Sequence, residues 1–426
     1  MLLVYTDTIT DRLAYVCHFI LKEQLGLTYS LTSKLEDCND SSNPIINYSA
    51  KSFSVKNIVN IEPHDLLFEK NINFQQVECT EVNGMPYFFS IPNSDIPFDI
   101  FAATFYLLTR YEEYLPYQKD DYGRFTHENS LAFKHGFLKK PLINIWISYF
   151  SSHLNDKFPK MIFIKPNFTF IASYDIDMAW SYKAKGLLRN IGGFLLRPSI
   201  ERIKVLLGIK KDPFDSFEFI KMLHQKTKIE ALFFFLVGST RSKYDKNIST
   251  TKKSMRSLIR ETLKDFTIGL HPSYISNKNI SIVKNEKIIL EQITGNAIKN
   301  SRQHYVKFTL PETFQNLISV GIKKDFSMGY GSINGFRASV ASSFLWYDLT
   351  NEKTTTLRLF PFCYMDANSH YEQKQNVEES YSELIYYKEE CKKMNALFIT
   401  IFHNNFLGND KEFKGWREMY DQFIMS

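Results

Sequence analysis

The chain has 426 residues, too many for one ordinary domain, and its 44% hydrophobic and 23% charged side chains exclude a disordered or fibrous protein. A net charge of +6 is small for this length and supplies no dense basic face, so nucleic-acid binding is not expected. Five scattered cysteines without CxxC spacing argue against a disulfide framework or a cysteine-ligated zinc, and point to a reducing compartment.

The opening MLLVYTDTITDRLAYVCHFILKEQLG has no basic start, unbroken apolar run or small-residue cleavage site. No stretch reaches the roughly 18 apolar residues of a membrane span, so a soluble, cytoplasmic protein is expected. The first part of the chain predicts helices over 98–117 and 141–150 and reads as a separate, smaller mixed α/β domain spanning 1–160, of unknown role. Within it, Arg110-Tyr-Glu-Glu113 sets a guanidinium beside two carboxylates, which fits salt bridges on a helix surface or at the domain interface.

From about Pro166 the rhythm changes. Short aromatic and β-branched runs at 168–177, 231–238, 266–271, 300–305, 324–330, 357–362 and 397–404 alternate with helical stretches. Strands alternating with helices indicate βα units around a parallel sheet, and seven of them suit a distorted (β/α)7 barrel over 161–426. Between the first two strands, residues 181–211 carry Lys183, Lys185, Arg189, Arg197, Arg202, Lys204, Lys210 and Lys211 against the single Glu201, interleaved with apolar residues. Such a stretch can lie on an anionic membrane surface; the alternative is a solvated insertion with one face on the barrel.

Functional side chains of parallel βα folds gather at the carboxyl ends of the strands. Here those ends carry Asp175 and Asp177, then His271, then Arg302 and His304, then Asp325, then Asp366, and finally His403. Period-two alternation puts Asp175 and Asp177 on one side of their strand, and Arg302 and His304 on one side of theirs. Carboxylates among apolar strands need a cation or donors, for which Arg302 and a metal are the candidates.

This order of motifs, Asp-x-Asp, His, Arg and a closing His over residues 166–410, resembles that of the polysaccharide deacetylases, the NodB-like carbohydrate esterases. The N-terminal FDIFAATFYLLTRYEEYLP and YGRF also resemble an uncharacterised domain that precedes such deacetylases in some bacterial proteins. The resemblance implies that Asp175 is the general base, Asp177 and His271 metal ligands, Arg302 the group orienting the base, and His403 the general acid. It implies hydrolysis of an N-acetyl group from an amino sugar of a glycan or glycan precursor, using a divalent metal, most simply zinc. Tyr274, Arg337 and Asp366 are assigned to substrate binding.

One position departs from the pattern. The family places a second metal-binding His four residues after the first, where this chain has Ile275. His304 is the candidate replacement, and Ser273 a weaker one because hydroxyls bind zinc poorly beside imidazole. The chemistry suits the residues: a metal polarises a carbonyl and acidifies water, a carboxylate accepts the proton and an imidazole protonates the leaving amine. Two rivals stay open, a non-catalytic carbohydrate-binding barrel and a hydrolase of another C–N bond.

Overall fold

The structure, a computed structural model, describes the chain except residues 40–42, 54–56, 93, 197 and 239–241. Arg197 of the basic stretch thus lies outside the described residues. The protein is α/β and contains two parallel-stranded layers. The first is a four-stranded sheet of β1 (Leu2–Thr6), β2 (Tyr29–Thr32), β3 (Ile45–Tyr48) and β4 (Ile58–Asn60) in the order β2-β1-β3-β4. The helices α1 (Asp11–Cys17), α2 (Ile100–Leu108) and α3 (Leu142–Lys157) accompany it. Every residue of α2 is buried, and Asp99 caps it by accepting the amide hydrogens of Phe101 and Ala102. The expected helix over 98–117 stops there because Arg110 turns left-handed, with φ of 56°.

The second layer contains all seven anticipated strands. They are β5 (Thr169–Ile176), β6 (Glu230–Leu236), β7 (Thr267–His271), β8 (Asn300–Ser301), β9 (Lys324–Asp325), β11 (Lys353–Leu359) and β13 (Leu397–His403). Two more, β10 (Phe344–Asp348) and β12 (Tyr364–Met365), complete the order β10-β11-β9-β8-β7-β6-β5-β13-β12. All pairs are parallel except β10–β11. The central strands are near-continuous apolar runs, as sheets covered on both faces require.

The expected barrel is corrected here. Among the described residues no ladder joins β12 to β10, so the hydrogen-bonded sheet stays open. At one edge the antiparallel β10 occupies the rim of β11 and turns toward the first layer, where the Tyr15 hydroxyl donates to the Leu345 carbonyl at 2.7 Å. At the other edge β12 is two residues long. One apolar cluster runs continuously from Leu2 through both layers to Ile424.

Contacts between the two layers are also ionic. Arg337 forks onto Glu113 with bonds of 2.8 and 2.6 Å, and Arg110 Nε donates to the same carboxylate at 2.7 Å. Burial alone would raise the Glu113 pKa, but the guanidinium groups of Arg337 and Arg110 hold it below the ordinary range. The Arg110–Glu113 segment is therefore a buried ionic joint, where a helix-surface pair was one of the two expectations.

Candidate active site

The carboxyl ends of β5, β7, β8 and β13 open into a cavity of about 580 Å³. Asp175, Asp177, His271, His304 and His403 all line it, and Arg302 lies behind it, fully buried. Register explains part of this convergence, because Asp175 and His403 are direct partners on adjacent parallel strands. Pro272 has no amide hydrogen to extend the β7 ladder. The chain after β8 runs beside that strand end instead: the Arg302 amide donates to the Leu270 carbonyl at 3.0 Å and the His304 amide to the Pro272 carbonyl at 3.3 Å.

Strand β8 ends at Ser301, so Arg302 and His304 are not alternate residues of a strand as the period-two reading supposed. Their placement comes from the loop. Tyr305 and Val306 follow with φ of 60° and 52°, a costly left-handed pair for a residue branched at Cβ. Arg124, from the N-terminal half, holds this turn by donating Nη1 to the Tyr305 carbonyl at 2.9 Å and to the Gly331 carbonyl at 3.1 Å.

Asp175 is buried, and Arg302 Nη1 donates to its Oδ1 at 2.9 Å. The guanidinium lies over the Phe234 ring, 4.4 Å from its centroid, with Nε donating to the Phe326 carbonyl. Asp177 is one-third exposed at the cavity and faces three imidazoles. Its Oδ1 lies 3.0 Å from His271 Nε2, and its Oδ2 lies 3.4 Å from His304 Nε2 and 3.5 Å from His403 Nε2. Ligand atoms of Asp177, His271 and His304 fall within 4.8 Å of one another.

The far side of each imidazole settles what the near side presents. His271 Nδ1 meets the Arg302 carbonyl oxygen, which can only accept, so Nδ1 carries the hydrogen and neutral His271 turns the lone pair of Nε2 toward Asp177. His304 Nδ1 lies 2.9 Å from Asp245 Oδ1, another acceptor, so the same holds for its Nε2. Two imidazole lone pairs and a carboxylate aimed at one point fit a divalent cation. Tetrahedral ligands at about 2.0–2.2 Å from zinc stand roughly 3.4 Å apart; here each imidazole is 3.0–3.4 Å from a different Asp177 oxygen. Without a cation a proton fills the gap: burial would lower the His304 pKa, but Asp177 and Asp245 outweigh it and hold the group at about 9.

His403 is built differently. Asp366, fully buried, accepts from the His403 amide at 2.6 Å and contacts Nδ1 at 2.7 Å. Burial opposes charging His403, but Asp366 and then Asp177 and Asp175 raise it to about 10. Its protonated Nε2 therefore points into the cavity at neutral pH.

Three assignments are corrected. Asp366 holds His403 and is not among the cavity-lining residues, since both of its oxygens are spent on backbone and imidazole. Arg337 is spent on Glu113 and the Gly329 carbonyl and stacks on Phe308, away from the cavity. Tyr274 donates to the Tyr122 carbonyl and packs on Tyr244, so it backs two tyrosines that do line the cavity. Two further expectations resolve similarly. Ser273 and Asp325 are buried, Asp325 accepting from Ser301 Oγ at 2.7 Å, and neither lines the cavity. Asp245, fixed by Ser242 and by the Tyr274 amide, has no counterpart in the sequence reading.

Residues 2–159 match the model of a family of unknown function, DUF7033. No curated protein matches the chain by sequence. Among solved structures, the chain is similar to a provisionally assigned polysaccharide deacetylase from Mycobacterium smegmatis, at 10% identity and a TM-score of 0.41 over 61% of this chain and 83% of that one. A polysaccharide deacetylase from Bacillus cereus aligns at 10% identity and a TM-score of 0.32, over 61% and 88%. A pseudoenzyme of the CE4 family from Bacillus anthracis aligns at 7% identity and a TM-score of 0.30, over 62% and 66%.

Proposed function

We propose that this chain is a metal-dependent hydrolase that removes the N-acetyl group from an amino sugar of a glycan or glycan precursor. The observation that carries the reading is the meeting, in one cavity, of three distinct sets. They are a cation-shaped triad (Asp177, His271, His304), a carboxylate held by a buried arginine (Asp175–Arg302) and an imidazole held by a buried carboxylate (His403–Asp366). The motif order seen in the sequence supports the same assignment.

Asp177, His271 and His304 would hold the metal, with His304 in the place of the histidine absent at Ile275. A divalent cation there supplies polarisation of the acyl carbonyl and a more acidic water. Asp175 keeps Oδ1 on Arg302, which leaves Oδ2 facing the cavity to accept the proton of the attacking water. Arg302 favours the ionised carboxylate and fixes its orientation. His403 Nε2 then gives its proton to the departing amine, and Asp366 keeps that ring in one tautomer. The tyrosines Tyr122, Tyr244 and Tyr305 line the same cavity and offer apolar faces to a pyranose ring.

Release of acetate from N-acetylated amino-sugar oligomers and lipid-linked precursors, measured with and without added zinc, tests the reading. Metal-dependent acetate release abolished in Asp177→Ala is the expected result. No acetate from any such substrate with any divalent metal would leave a sugar-binding protein without hydrolysis.

A further inference from the structure

The basic segment between β5 and the helix Phe217–Thr227 folds into a hairpin of two short helices, α4 (Leu187–Leu196) and α5 (Ile200–Leu206). Asp212 closes its base by accepting the amide hydrogens of Ser181, Tyr182, Lys183 and Phe214. Arg202 ties the two arms together: it stacks on Tyr182 at 5.0 Å and donates Nη1 to the Asn190 carbonyl at 3.2 Å. Arg202 of one helix and Asn190 of the other thus lie on the facing sides, with Val205 the buried side chain of α5.

The apolar faces are left outside. On α4, Leu188 and Leu195 are 88% and 76% exposed, and Ile191 lies between them on the same stripe. On α5, Ile200 is 74% exposed, and Ile203 and Leu207 continue its stripe at helical spacing. Leu196 and Ile209 are exposed as well. A concentration of exposed leucine and isoleucine on one element marks a contact surface in a soluble protein.

Charge identifies the partner. Residues 181–211 hold eight basic side chains against Glu201, more positive charge than the whole chain's net +6. Lys183 and Lys204 are exposed on this element, as are Lys210 and Lys211, which pair with Glu201 and Asp215. A second copy of the chain would bring these cations face to face, which opposes self-association. Aliphatic side chains set among lysines match an anionic bilayer, whose headgroups take the cations while the acyl boundary takes the leucines. No helix among the described residues is long and apolar enough to cross a membrane, so contact is at the surface.

We propose that the α4–α5 hairpin docks this protein on anionic lipid membranes. The hairpin leaves and re-enters the fold at the cavity, since Met178 and Phe214, just outside its two roots, both line it. Docking thereby sets one rim of the cavity close to the headgroups. Docking through this hairpin is independent of the chemistry proposed for the cavity.

Flotation of the full chain with vesicles of phosphatidylcholine, alone or containing phosphatidylglycerol, tests it. Co-flotation with the anionic vesicles is expected, weakening as salt is raised. Leu188→Ser/Leu195→Ser/Ile200→Ser and, separately, Lys183→Glu/Lys204→Glu should each cut partitioning at least ~10-fold with the melting temperature unchanged, because these side chains are exposed. Failure to float with anionic vesicles, equal flotation with neutral ones, or unchanged partitioning of both variants would overturn the proposal. Light scattering that showed a dimer dispersed by the leucine substitutions would overturn it in favour of self-association.

Discussion

Asp245 Oδ1 lies 2.9 Å from His304 Nδ1, on the side of the ring away from Asp177, and this contact decides which nitrogen faces the cavity. A carboxylate behind a ligating imidazole fixes its tautomer and raises its basicity. Asp245→Asn should therefore weaken zinc binding by about 10–100-fold without unfolding the protein. Competition with a chromogenic chelator measures this. Unchanged affinity would show that His304 is oriented by other contacts.

Separation of base and ligand is the second expectation. Asp175→Asn should retain zinc affinity within a few fold, since Asp177, His271 and His304 are untouched, and lose about 10²–10⁴-fold in turnover. Full turnover in this variant would move the base elsewhere.

Arg302 should behave as a structural cation as well as an orienting one. Arg302→Met leaves Asp175 charged and unpaired among buried strands, a change that costs about 3–5 kcal/mol. Chemical denaturation should show that loss, and the Asp175→Asn/Arg302→Met pair should recover part of it.

Arg337 offers a contrast, because its carboxylate partner lies in the N-terminal half. Arg337→Met should lower stability by about 3 kcal/mol or more through the buried Glu113, yet leave zinc affinity unchanged. A selective loss of sugar affinity with normal stability would restore the substrate-binding role.

The pH dependence of the metal-free protein follows from two imidazoles. His304 and His403 have folded-state values of about 9 and about 10, above the roughly 6.5 of an unfolded chain. Raised values mean that the protonated form favours the fold. Their contribution is complete below about pH 6.5 and is lost as pH rises through about 9 and then about 10. Melting temperature without metal should fall across that window, and Asp366→Asn should flatten the upper part. Zinc competes with the His304 proton, so zinc affinity should rise over the same range.

The sequence made the parallel strands and their ends legible, because long apolar runs such as that of β5 and β13 have few other uses. That β5 and β13 are neighbours, with Asp175 and His403 in register, is supplied by the fold. Sheet closure was not legible, since it depends on where β10 and β12 pair and their short runs carry no such signal. His304 was found for a reason that does not hold: it faces the cavity from a strained turn fastened by Arg124, not from a strand. Asp245 sits in an irregular loop without periodicity, and only the fold brings it to His304. Arg337 is spent on Glu113, 224 positions away in the chain, a pairing no local pattern shows. Polar residues that serve one another at such separation look the same in sequence as residues that serve a substrate.

His304 stands in the candidate metal site where the motif lacks its second histidine. Anomalous diffraction from zinc-soaked crystals tests it most directly. One strong peak is expected about 2.0–2.3 Å from an Asp177 oxygen, His271 Nε2 and His304 Nε2, with Asp245 still on His304 Nδ1. A peak at Asp177 and His271 with His304 turned away, or no peak in this cavity at all, would contradict it.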